Sequence, residues 1–339
     1  MKISNIAAAV ALGALAIGGA HAKDGGDQYP NGAETWLGGA VPPPGNYFIN
    51  YFGYYGGELR DGNGNKAPSG EVDAWFNAFR FVHTSEHKIL GGNWGWHVIV
   101  PLVHQKVDLF GSKSVNGVGD ITIDPFIVSW HSKNWHWAIG LDINLPTGRY
   151  KEGDARQSIG ANYWSYEPLF AFTYMGDTGW EVSAKLMYNI KTKNKDYDGP
   201  AGVGSYASGD EFHMDYLVGK RVGPWGVGLS GYYLKQTNDD EINGQKVAAN
   251  AFWSEGRRGQ VFAIGPTVSY TTKGGVHLTA QWNHETKTEN RFEGDKFIVK
   301  LIMPLSGPAG RNPASRAEPR CTVLVAGVLR LRLLPHGRS

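Results

Sequence analysis

The chain predicts an all-β fold, a transmembrane antiparallel up-and-down β-barrel of about twelve strands. Three observations predict it. Alternating residues run between glycine-rich breaks from about Tyr47 to Leu305, the connections alternate short and long, and a secretion signal precedes them.

The signal comes first. Lys2 supplies positive charge, Ile6 to Ile17 is an apolar run, and Ala20-His21-Ala22 is a small-x-small cleavage site. The run is too short to cross a bilayer, so a cleaved peptide over 1–22 is favoured over a retained anchor. Residues 23–46 follow, glycine-rich and carrying Pro42-Pro43-Pro44-Gly45. They read either as a periplasmic leader or as a plug entering the lumen.

Strands are expected near 47–57, 71–83, 94–107, 117–131, 134–145, 161–175, 179–191, 210–222, 225–236, 259–272, 275–286 and 296–305. Short turns fall at 131–134, 175–179, 222–225 and 272–275, with 85–93 somewhat longer. Long loops fall at 58–70, 108–116, 146–160, 192–209, 237–258 and 287–295. An even strand count with both termini in the periplasm places every short turn on the periplasmic side and every long loop outside.

Several strands display two faces. Trp135, Trp137, Ile139, Leu141, Ile143 and Leu145 oppose His136, Ala138, Gly140, Asp142 and Asn144. Trp135, Trp180 and Trp225 each open a strand after a short turn, where an interfacial aromatic belt belongs, and Trp282 is assigned to the same kind of girdle. Parity turns Asp120, Asp124, Asp142, Glu167, Glu181, Lys185, Asp215, Arg221 and Lys300 inward. These groups either contact solute in a wet passage or form a salt-bridged filling. Arg80 and Lys220 fall on the lipid-facing parity near a membrane edge, where long side chains snorkel. Pro101, Pro125 and Pro168 interrupt strands in a ladder that uses both backbone edges, so kinks or bulges are expected there, and such kinks can open a lateral gap.

Composition agrees. A mean hydropathy of −0.33 excludes a helical membrane protein but suits a barrel, in which only every second strand residue meets lipid. The 12 Trp, 16 Tyr and 14 Phe can supply two aromatic belts. A net charge of +2 gives no case for nucleic acid, and the one cysteine, Cys321, excludes an internal disulfide framework. There is no Cys-x-x-Cys, His-Glu-x-x-His or Gly-x-Ser-x-Gly, so no catalytic residues, metal site or cofactor are expected. His97, His104, His136 and His277 read as wall or loop residues. The acidic clusters at 196–199 and 238–241 read as solvated loop charge rather than a Ca²⁺ or lipopolysaccharide bridge.

Five segments carry a resemblance. They are Pro42-Pro43-Pro44-Gly45-Asn46-Tyr47-Phe48-Ile49-Asn50-Tyr51, Gly117-Val118-Gly119-Asp120-Ile121, Leu145-Pro146-Thr147-Gly148-Arg149-Tyr150, Ile159-Gly160-Ala161-Asn162-Tyr163-Trp164 and Asp196-Tyr197-Asp198-Gly199. In this order, across about 250 residues, they resemble the meta-pathway of phenol degradation family. The resemblance implies a bacterial outer-membrane barrel for uptake of small aromatic or other hydrophobic compounds. Its expected partners are outer-membrane lipid and lipopolysaccharide, the barrel assembly machinery and small hydrophobic solutes. A rim-active lipid hydrolase and a structural or adhesive barrel are the alternatives. The resemblance stops at Leu305. Residues 306–339 hold six Arg, no Lys and no aromatics, an abrupt change that reads as a segment outside the folded unit, with a genuine periplasmic tail as the alternative.

Overall fold

A computed structural model describes residues 28–306 apart from 110, 200, 201, 251 and 252. The expected signal peptide and the expected tail, from 307 onward, lie outside the described residues. Twelve strands form the wall: β1 (Gly45–Arg60), β2 (Lys66–Ile89), β3 (Gly92–Asp108), β5 (Ile121–His131), β6 (Trp135–Leu145), β7 (Ser165–Met175), β8 (Trp180–Lys191), β11 (Glu211–Val222), β12 (Trp225–Gln236), β15 (Gln260–Thr271), β16 (His277–Glu289) and β17 (Phe292–Ser306). Each pairs antiparallel with its chain neighbour, and β1 pairs with β17 from Asn46↔Ser306 to Leu59↔Phe292, which closes the barrel. Closure leaves no exposed edge and satisfies the backbone within lipid.

All twelve expected strands are present, but several run further than alternation alone indicated. β2 and β3 meet at a tight turn where Leu90 and Gly91 both have positive φ, of 50° and 80°, in place of the nine-residue connection expected at 85–93. β16 and β17 likewise extend through most of 287–295 to a turn at Asn290. β4 (Ser112–Val118) pairs with the outer half of β3, while β5 pairs with its inner half. The segment expected as one strand over 117–131 is therefore broken at Gly119-Asp120. In the outer loops, β9 (Asn194–Gly199), β10 (Gly202–Ala207), β13 (Glu241–Ile242) and β14 (Gln245–Lys246) form a separate four-stranded sheet. Tyr197, Tyr206 and Val247 pack inside it.

The proline positions mark real interruptions. β3 changes partner at Pro101, whose carbonyl accepts the Gly119 N–H at 2.9 Å. Opposite Pro125 the β5–β6 ladder lapses between Ile123 and Val128. The Asp124 carboxylate fills that lapse, accepting the N–H groups of Phe126 at 2.8 Å and Leu141 at 3.0 Å. A side chain thus replaces two missing backbone acceptors, as buried amides require. Beside Pro168, Asn189 donates to Glu167 at 2.9 Å where the β7–β8 ladder is interrupted.

Two aromatic rows run along parts of the wall. On the outer side, Trp75, Tyr54, Phe297 and Trp282 stand in register across β2, β1, β17 and β16. On the periplasmic side, Trp135 packs against Tyr174 at 4.9 Å and Trp225 against Tyr270 at 4.6 Å. Trp180 lies under Lys220, whose ammonium donates to the Thr178 carbonyl and so snorkels as expected. From Trp75 to the pair His83↔Trp96 is eight residues along β2. At about 3.3 Å per residue and a tilt of about 40° this separates the rows by roughly 20 Å, close to the apolar height of an outer-membrane wall.

Candidate functional site

The interior is occupied. Residues 28–44 pass through the lumen from the outer end, where Gln28 donates to Asp120 at 2.8 Å, to the periplasmic end, where Gly45 opens β1. The described part of the segment, called the plug below, lies within the barrel. It has no repeating structure and is held by side chains of the wall. Asp215 accepts from the Tyr29 hydroxyl at 2.6 Å, the Gly32 N–H at 2.7 Å and the Glu34 N–H at 3.0 Å. Glu181 accepts the Leu37 N–H at 2.7 Å, and Thr173 the Gly39 N–H at 2.9 Å. Gln281 accepts from Thr35, and Lys300 donates to the Trp36 carbonyl at 3.3 Å. An irregular backbone inside a membrane protein needs such partners, and inward-facing polar side chains supply them.

Trp36 is fully buried. Its indole N–H donates to Thr267 at 3.0 Å, and the Arg221 guanidinium lies 5.3 Å from its ring centroid. β11 and β12 make room for it with Gly219 and Gly226. A Cβ at either position would stand 2.4 or 2.7 Å from the ring, so only glycine leaves the slot open.

Beside Trp36 lies a band of charge. Glu34 bonds to Arg80, to the Tyr51 hydroxyl and, at 3.0 Å, to Lys300. Arg80 therefore points inward, not to lipid as parity suggested. The inner face of β2 explains the misreading. It carries Val72, Ala74, Phe76 and Ala78, while the outward face carries Glu71, Asp73 and Asn77 beside Trp75, so the polar residues of this strand do not mark its inward side. Arg80 also reaches His97 Nδ1 at 2.9 Å. A guanidinium only donates, so Nδ1 is the acceptor, and Nε2 carries the proton and faces Asp142 at 3.0 Å. Lys185 completes the band, 3.4 Å from Asp142. Ligand atoms of His97, Asp124 and Asp142 lie within 4.8 Å of one another, a spacing that would suit a metal ion. However, Arg80 and Lys185 already supply the positive charge, and the two backbone N–H groups already bind Asp124.

Each inward-assigned residue can now be placed. Asp124, Asp142, Glu167, Glu181, Lys185, Asp215 and Lys300 are buried inside the wall, and Arg221 is partly buried, paired with Glu181. Asp120 is also buried but sits at the outer rim. It accepts the N–H groups of Gly148 and Ala161 at 2.9 Å each, so it pins two loop segments as well as Gln28. Alternation did not reveal Arg80, Glu34, Trp36 or His97 as members of this centre. The second acidic cluster, 238–241, serves the loop sheet. Asp240 accepts from Tyr206 and Gly209, and Asp239 pairs with Arg258 and Lys246.

Cavities lie on either side of the plug among the described residues. The outer one, about 300 Å³, is bounded by the apolar inner faces of β2 and β3, with Val72, Phe76, Ile99, Pro101 and Val103 on one side. The inner one, about 730 Å³, opens between Leu37, Pro43, His131, His136, His277 and Pro304. Glu34, Arg80 and Lys185 border both.

A family described as "Putative MetA-pathway of phenol degradation" matches residues 56–301. The chain belongs to that family. Among solved structures it is similar to the COG4313 outer membrane channel from Pseudomonas putida F1, at 14% identity and a TM-score of 0.66, over 81% of this chain and 99% of that one. The β domain of the Bordetella autotransporter BrkA aligns at 11% identity and a TM-score of 0.45, over 77% of this chain and 100% of that one. The translocator domain of autotransporter NalP from Neisseria meningitidis aligns at 9% identity and 0.42, over 78% and 90%. No curated protein sequence matches. The family member is thus a closed twelve-strand barrel that shares the fold of that outer membrane channel.

Proposed function

We propose that this barrel is a passage for small hydrophobic or aromatic solutes, closed in the present conformation by residues 28–44. The observation that carries this reading is the outer cavity. Porin lumens are polar, whereas here the inward face of β2 and β3 presents Val72, Ala74, Phe76, Ala78, Ile99 and Val103 to a cavity of about 300 Å³. A space of that size suits a one-ring or two-ring solute. The charged floor of Glu34, Arg80, Asp142, Glu167 and Lys185 would orient a polar substituent on such a solute. Asp120, Asp124, Glu181, Asp215, Arg221 and Lys300 then act mainly by holding the plug and wall in place. The family's description supports an aromatic substrate class.

The test is binding of 1-naphthol to purified protein in detergent, followed by fluorescence, with phenol and sucrose as competitors. Phenol should displace the reporter and sucrose should not. Phe76→Arg and Ala78→Asp should each weaken binding by about 2 kcal/mol, as expected for a charge placed against an apolar ligand face. Undiminished binding in both variants, or displacement by sucrose, would remove the basis of the proposal.

A further inference from the structure

His131, the last residue of β5, and His136, the second of β6, are direct cross-strand partners beside the tight periplasmic turn. Their Nδ1 atoms lie 2.9 Å apart, and the ring centroids are 5.2 Å apart. Both rings border the inner cavity, and His131 is exposed. Among the described residues neither is in an ion pair. The turn is itself fixed, since Ser132 N–H donates to the Trp135 carbonyl at 2.8 Å and Asn134 ties to the next turn through Asp177. Two imidazoles are therefore held side by side at an opening that water and ions can reach.

The 2.9 Å spacing is also a ligand bite. With metal–nitrogen bonds of roughly 2.0–2.1 Å, two donors at this separation subtend about 90° at one ion, the cis angle of a tetragonal or octahedral centre. Without metal, one ring donates its Nδ1–H to the Nδ1 lone pair of the other. For both to coordinate, the donating ring moves its proton to Nε2 through solvent, and both lone pairs become free with no net change of charge on the pair. We propose that His131 and His136 form a divalent transition-metal site at the periplasmic mouth. Its preference runs to Cu²⁺ ahead of Ni²⁺ and Zn²⁺, with water completing the coordination. This site is separate from the outer solute cavity, and it stands or falls independently of the transport reading.

The experiment titrates full-length folded protein in detergent with copper(II) sulfate and reads both calorimetry and electron paramagnetic resonance. Wild type should take up one equivalent with an axial spectrum showing hyperfine structure from two nitrogens. His131→Ala and His136→Ala should each weaken that first equivalent at least about tenfold, the loss expected when a coordination shell is broken. His87→Ala/His104→Ala should leave it intact. Binding of the first equivalent by His131→Ala/His136→Ala as tightly as by wild type would overturn the proposal. If a variant fails to fold, the wild-type spectrum decides: several overlapping signals, or one nitrogen only, would equally overturn it.

Discussion

Asp124 shows how much one side chain contributes to the wall. Pro125 and the adjoining break leave the N–H groups of Phe126 and Leu141 without strand partners, and one carboxylate accepts both. Replacing it with alanine strands two buried donors, at about 1–3 kcal/mol for each unsatisfied group. Asp124→Ala should therefore lower the temperature at which the barrel loses its heat-modifiable gel migration. Asn, which keeps one acceptor oxygen, should recover part of the loss. An unchanged midpoint in the alanine variant would mean that water or another side chain bridges the break. Parity alone turned Asp124 inward, as it did Asp142 and Lys185. The pairing of Asp142 with His97 was not legible, because register between strands of different hairpins leaves no trace in the alternation of either.

At the scale of elements, the plug and the loops divide the work. Residues 28–44 have no helix or strand period, so their sequence gave two possible placements and no means of choosing between them. Their position is set by distant glycines, Gly219 and Gly226, whose role appears only when Trp36 fills the space beside them. Trp36→Ala should empty this slot and remove the contacts to Thr267 and Arg221. Single-channel conductance in planar bilayers should then rise several-fold, with folding retained. Conductance equal to wild type would show that the charged band of Glu34, Arg80 and Lys300 is closure enough.

The outer loop 146–160 has its own anchor. Burial pushes the Asp154 carboxyl up, but hydrogen bonds from Arg156 and Gln157 outweigh it and hold the group at about 2. A carboxyl depressed in the folded loop contributes stability above its ordinary titration range, and loses it as pH falls toward 2. Pepsin should accordingly cut this loop faster in Asp154→Ala than in wild type at pH 4, and the difference should fade near pH 2. Equal cutting at pH 4 would mean that the carboxylate does not order the loop.

For the molecule as a whole, the surrounding lipid made the fold readable. Hydrocarbon outside and polar groups inside impose a period of two on nearly every strand. β2 is the exception: its inward face is apolar while Glu71, Asp73 and Asn77 lie on the outward one, and there the inward direction of Arg80 was lost. The same apolar inner face that obscured the pattern forms the wall of the outer cavity, so the poorly readable strand is the one closest to the proposed function.

The course of residues 28–44 also constrains how the polypeptide can be put together. Gln28 is fastened at the outer end and Gly45 starts the first strand at the inner end, while the anchors between them belong to strands as far apart in sequence as β2 and β17. If the β1–β17 seam zipped first, the leading end would have to be threaded afterward through a finished tube. A simpler order has successive hairpins wind around the segment as around a mandrel, with the seam joined last. Deleting residues 28–40 should then slow seam joining during refolding into detergent micelles, while the completed tube keeps its heat-modifiable migration; an unaltered rate would mean that the tube forms without its mandrel.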